Sequence, residues 1–180
     1  VWSFYGIEKF SWSPREIGYS LAFIGILMVF VQGFLIRLVI PVLGLRQTGI
    51  LGFTFTIVAF LGYANASTTV MAYVALIPGA LGAFAGPAMN GIASTQVGAD
   101  QQGELQGAMS SMMSLTSIIS PPLMTLTFGL FSDRSADHYY PGAPFLLAAA
   151  LTFLALILFV KTTRGYSFLQ RMDPETSAKG

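Results

Sequence analysis

The sequence predicts an all-α polytopic membrane protein, and three observations carry that prediction. Of 180 residues, 54% are hydrophobic and only 9% are charged, against roughly 25% charged in an average soluble domain. Mean hydropathy is +0.68. The apolar residues gather into long uncharged stretches, and about 20 such residues cross a hydrocarbon core as a helix. So little charge cannot cover a water-facing surface, which makes the lipid bilayer the expected solvent. A net charge of +1 gives no footing for nucleic acid. The absence of cysteine removes disulfides, thiolate chemistry and cysteine metal sites together.

The elements follow in order. The opening VWSFYG has neither an initiator Met nor a basic segment ahead of an apolar stretch, so it does not read as a signal peptide. It reads as the stub of a first span, residues 1–6, and the chain is expected to be a fragment of something longer. After the polar EKFSWSPRE, Ser13 is an N-cap candidate with Pro14 at the first helical position, a favourable helix start. Full spans are predicted over 17–39, 49–64, 70–94, 105–128 and 145–160. The turns between them are PVLGLRQTG, NAST, QVGADQQGE and SDRSADHYYPGAP. The polar tail, 161–180, has no apolar periodicity and is expected to be disordered near its end.

Five spans and a stub alternate sides. Arg37, Arg46, Lys161, Arg164, Arg171 and Lys179 fall on one side, Lys9, Arg15 and Arg134 on the other. The excess predicts a cytoplasmic C-terminus. Trp2, Trp12, Tyr139 and Tyr140 then cluster at the outer interface, where amphipathic rings are stable.

Polarity separates the spans. Residues 49–64 and 145–160 are apolar all round and are expected at the periphery. The other three full spans carry Gln32, Asn90 and a hydroxyl-rich stretch, and amides or hydroxyls without partners are costly in hydrocarbon. In the span over 70–94, Gly82, Gly86 and Asn90 recur every four residues, as do Ala75, Gly79 and Ala83. Small residues at this spacing let helices approach closely, and Pro87 should bend the helix. Plain packing and a gating hinge or cavity wall both fit this pattern.

The segment QGELQGAMSSMMSLTSIISPPL, residues 102–123, carries two stripes. Gln106, Ser110, Ser114, Ser117 and Pro121 share one helix face. Gly103, Gly107 and Ser111 form a second, close-packing face. Met109, Met112 and Met113 fill between them, and methionine tolerates changing neighbours. Pro121 and Pro122 loosen the backbone, which a membrane tolerates where protein or water serves the freed carbonyls. The serines either bond back to their own helix and pack, or line a polar path.

Chemistry for catalysis is missing, and no enzyme activity, metal or cofactor is expected. The single histidine, His138, lies beside Asp137 in the outer loop. No Gly-rich loop runs into the Lys-Ser/Thr of a P-loop. No acidic residue lies within a full span, so a proton-coupling carboxylate would be elsewhere in the protein, or Glu8.

The stretch GPAMNGIASTQVGADQQGELQGAMSSMMSLTSIISPPL closely resembles the tenth and eleventh helices of the tetracycline-resistance group of the major facilitator superfamily, twelve-helix drug:H+ antiporters. In that group a QGxLQG turn opens the eleventh helix and SLTSIxGP follows. The matching positions are Gln102, Gly103, Leu105, Gln106 and Gly107, then Ser114, Leu115, Thr116, Ser117, Ile118 and Pro121. RLVIPVLGLRQ and YPGAPF resemble the connection between helices eight and nine and the approach to helix twelve. Ser120 stands where the group has Gly, and Pro122 is added.

The resemblance implies the C-terminal half of a proton-driven efflux transporter in a bacterial inner membrane, spanning the end of helix seven to helix twelve. The missing N-terminal six-helix half would be its partner and hold the main coupling acid. A small amphipathic molecule would sit near the midplane between the halves, against Gln32, Asn90, Met113, Ser114 and Ser117. Gly82, Gly86, Pro87, Gly107 and Pro121 would serve bending and packing. The rival expectations are a non-transporting membrane scaffold, which needs no further spans upstream, and a passive channel, which is indifferent to an uncoupler.

Overall fold

Ser13 begins the first long helix as its sequence context implies. Its hydroxyl accepts from the Glu16 amide, and the Glu16 carboxylate accepts from the Ser13 amide at 2.8 Å, with Pro14 at the first position. This reciprocal cap satisfies two donors that a helix start otherwise leaves open. The structure is a computed structural model that describes residues 1–132 and 139–165. Every regular element among the described residues is helical: α1 (Trp2–Phe10), α2 (Pro14–Phe30), a π turn (Val31–Leu35), α3 (Ile36–Asn65), α4 (Thr69–Leu81), a 3₁₀ turn (Gly82–Phe84), α5 (Ala85–Ser94), a second 3₁₀ turn (Ala99–Gln101), α6 (Gln102–Phe131) and α7 (Ala143–Thr162).

Helical structure from Pro14 to Asn65 covers 52 residues, which as one straight rod would reach about 78 Å. It does not run straight. Gly44, at φ 77° and ψ 162°, breaks α3 in a conformation open to glycine, and the chain reverses there. The two ends of the stretch therefore meet. Tyr5 donates to the Tyr63 carbonyl, and Trp12 Nε1 donates to Thr69 Oγ1 at 3.0 Å. At the opposite end Arg46 Nε donates to Thr163 Oγ1 at 3.2 Å. The turn expected over 41–49 thus contracts to one residue. Arg46, Lys161 and Arg164 share one end of the bundle and Lys9 and Arg15 the other. Arg134, His138, Arg171 and Lys179 lie outside the described residues, as does the tail beyond residue 165.

The arm over 45–65 is not peripheral among the described elements. It packs against α4 and α5 on one side and α7 on another. Gly49, Gly52, Thr56, Ala59 and Tyr63 step by three and four along it, the spacing of one helix face. A Cβ on Gly52 would lie 2.9 Å from Ala85 Cα, and one on Gly62 would lie 2.8 Å from Ala75 Cβ. Gly82 meets Thr56, and Gly79 meets Tyr63 and Ala59. The expectation of a peripheral span fails within this chain because an apolar helix needs no polar residue to pack: small side chains and dispersion contacts suffice.

The every-four stripe of Gly82, Gly86 and Asn90 also divides. Gly82 is buried, whereas Gly86 and Asn90 are exposed and a Cβ on Gly86 would meet nothing. The 3₁₀ turn is the cause. Three residues per turn shift the phase, so the packed positions run Gly82, Ala85, Ala88. Pro87 explains the turn's position, since its ring cannot share an α-turn with the carbonyl of Ala83 four residues earlier.

The outer end is held by aromatics. Trp2, Tyr5, Trp12, Tyr63 and Phe145 meet edge to face at centroid separations of 4.9 to 5.6 Å. The last carbonyls of α3 are served from outside: Tyr140 Oη donates to Ala64 O at 3.0 Å and Lys9 Nζ at 3.3 Å. Burial holds the Lys9 ammonium below its ordinary range.

Candidate functional site

Gln32 lies in the π turn. Buried Val31 and Ile36 flank it and pack on Ala80 and Phe84. Residues five apart on an α-helix face different ways; the wider i→i+5 turn lets both reach one neighbour. Gln32 is left exposed beside them, next to the 3₁₀ turn that begins at Gly82. Irregular helical turns of this kind recur at functional sites. No sequence pattern marked this one; two bulky aliphatic residues five apart around Gly33 were its only trace.

Met113, Ser114 and Ser117 lie near the middle of α6, and all are exposed, Met113 by 72%. The serines spend their donors locally. Ser114 Oγ donates to Ser110 O and Ser117 Oγ to Met113 O, each at 2.9 Å, and Ser111 and Thr116 do the same. The hydroxyl stripe therefore needs no partner helix for its protons. Gln32 and Asn90 differ: no hydrogen bond engages either amide among the described residues. By contrast, Asn65 Nδ2 reaches back to Leu61 O at 2.9 Å.

Gln32 stands twelve residues before Gly44 and Ser114 twelve after Gln102, so both lie about 18 Å along their helices from the basic end. They share a depth. Asn90 does not, since it lies four residues from the end of α5 at Ser94, about 6 Å from that end. No hydrogen bond or buried cluster among the described residues joins the α6 group to Gln32 or Asn90. The expected close-packing face of Gly103, Gly107 and Ser111 is also open, and a Cβ on Gly103 or Gly107 would meet nothing. Helix α6 runs unbroken through Pro121 and Pro122.

Among the described residues, four helical stretches are long and apolar enough to cross a membrane, and they carry uncharged amides and hydroxyls along their length. This defines an integral membrane protein, with Gln32, Ser114 and Ser117 exposed on its helices and Ser20 and Thr48 buried within it. The chain belongs to the major facilitator superfamily, whose family model matches residues 1–177. It is 31% identical to the tetracycline resistance protein, class C, of Escherichia coli over 87% of this chain and 38% of that protein. To the class D protein of Salmonella ordonez it is also 31% identical, over 89% of this chain and 40% of that one. The Hippocampus abundant transcript 1 protein of Mus musculus is 28% identical over 84% of this chain and 35% of its own length. The chain thus spans about two fifths of the length of the curated relatives it matches. No solved structure matches it at a significant level.

Proposed function

We propose that this chain forms the C-terminal half of a secondary transporter that exports a small amphipathic organic compound by alternating access, driven by protons. One observation carries the reading: Gln32, an amide without a described partner, stands at the same depth as the exposed Ser114 of α6. A solvated or substrate-filled path would serve both groups. Gln32 and Asn90 would orient polar groups of the substrate, Met113 would supply adaptable apolar contact, and Ser114 and Ser117 would offer their free lone pairs. Asn90 would act nearer the basic end than the others. Gly82 and Pro87, at the 3₁₀ turn, and Gly86, Gly107 and Pro121, with open space about them, would allow the helices to shift.

The names of the tetracycline resistance relatives favour a drug of that kind as cargo, and their bacterial sources favour a bacterial inner membrane as location. Arg46, Lys161 and Arg164 at one end favour a cytoplasmic C-terminus. The coupling carboxylate is assigned to the missing N-terminal half. In the intact protein, Gln32→Ala, Asn90→Ala and Ser117→Ala should each alter drug susceptibility at unchanged expression, and an uncoupler should abolish the wild-type phenotype. Normal transport by all three variants removes the path assignment. Export that survives the uncoupler removes proton coupling.

A further inference from the structure

Away from the α6 face, a cleft of about 440 Å³ opens between α3, α5 and α7. Phe53, Ile92, Ala155, Leu158 and Phe159 line its interior, with the Phe53 and Phe159 rings 5.3 Å apart. Its polar side chains, Gln96, Thr162 and Thr163, belong to the last residues before the basic end. Leu158 is 65% exposed, so the cleft is open along its α7 side. Sites for drug-sized ligands set a few polar groups within an apolar wall to fix orientation. An apolar body with polar atoms only at the mouth fits an amphiphile.

The mouth is also basic. Arg46 sits on the face of α3 that continues through Gly49 and Phe53, and it is only half-buried. Its Nε is fixed by Thr163 Oγ1, which in turn donates to Phe159 O at 2.7 Å. Among the described residues its two Nη groups have no hydrogen-bond partner and no ion pair. Lys161 follows on the last turn of α7. A guanidinium held by Nε presents its Nη donors to an anion.

We propose that this cleft is a binding site for an anionic phospholipid, with one acyl chain between α3, α5 and α7 and the phosphate on the Arg46 guanidinium. Basic pockets between transmembrane helices bind such headgroups. The inference rests on the chain's being an integral membrane protein, not on what it transports, and its test reads binding alone. The intact protein in mild detergent is given equal amounts of phosphatidylglycerol and phosphatidylcholine with identical chains, and retained lipid is weighed by native mass spectrometry. Wild type should retain phosphatidylglycerol about fivefold over phosphatidylcholine, the preference one cation near a lipid headgroup provides. Arg46→Gln should bring the ratio near one, Arg46→Lys should keep most of it, and Ala155→Phe, which fills the cleft, should lower retention of both lipids. Equal retention of the two lipids by wild type, an unchanged ratio in Arg46→Gln, or undiminished retention in Ala155→Phe would each overturn the proposal.

Discussion

Residues 45–65 of α3 and helix α6 are built to contrary rules. The first is a run of aliphatic and aromatic residues broken by Gly49, Gly52, Ala59 and Gly62, and every break receives a neighbour. The second carries serines, methionines, two amides and two prolines, and none of its residues is buried. Along the middle of residues 45–65 cohesion comes from the smallness of side chains, while aromatic contacts and hydrogen bonds between helices hold the ends. Lipid tails are as apolar as leucine, so an apolar helix gains partners through close backbone approach and dispersion. A polar stripe has another option: hydroxyls one turn apart satisfy the helix's own carbonyls. The hydroxyl donors of α6 therefore need no neighbouring helix to be satisfied, as the water- or cargo-facing role proposed for it requires.

Breaking the packed region should have the largest effect. Gly52→Val drives a branched side chain into the backbone of Ala85, and we expect a loss of about 3 kcal/mol, measured as a lower midpoint in thermal unfolding of the intact protein. Next comes the aromatic end. Tyr5 is fully buried and its hydroxyl serves the Tyr63 carbonyl, so Tyr5→Phe should cost about 1 to 3 kcal/mol by the same assay. On α6, Ser114→Ala and Ser117→Ala should move the midpoint by less than about 0.5 kcal/mol, because each serine donates only to its own helix. If the α6 serines cost as much as Gly52, the contrast between the regions is lost.

Much of the fold was legible in the sequence. Ser13 with Pro14 announced a helix start through the chemistry of the first turn, to which the structure adds the Glu16 carboxylate, and long uncharged runs announced helices that cross a membrane. Less of the packing was legible. The 3–4 spacing of Gly49, Gly52, Thr56, Ala59 and Tyr63 was present to be read, but uniform apolarity masked it. Spacing by fours failed at Gly86 because it assumes an unbroken α-helix, and the 3₁₀ turn ahead of Pro87 changes the phase. The π turn under Gln32 depends on Val31 and Ile36 meeting Ala80 and Phe84, a contact between distant segments that no local pattern encodes. Of the candidate site, the residue types of Gln32, Ser114 and Ser117 were legible, and the span expected over 70–94 already set Asn90 four residues from its end, where α5 stops at Ser94. Whether the α6 serines bond to their own helix was left open by the spacing alone.

The sharpest test of the contrast uses a reagent that only water can carry. The chain has no cysteine, so single cysteines can be placed on opposite faces of α6 in an otherwise cysteine-free intact protein. Ser117→Cys lies on the hydroxyl stripe, and Ile119→Cys lies about 200° around the helix. A charged, membrane-impermeant maleimide should label Ser117→Cys and leave Ile119→Cys unreacted, with substrate slowing the reaction at position 117. Equal labelling at both positions, or none at position 117, would contradict a water-facing α6.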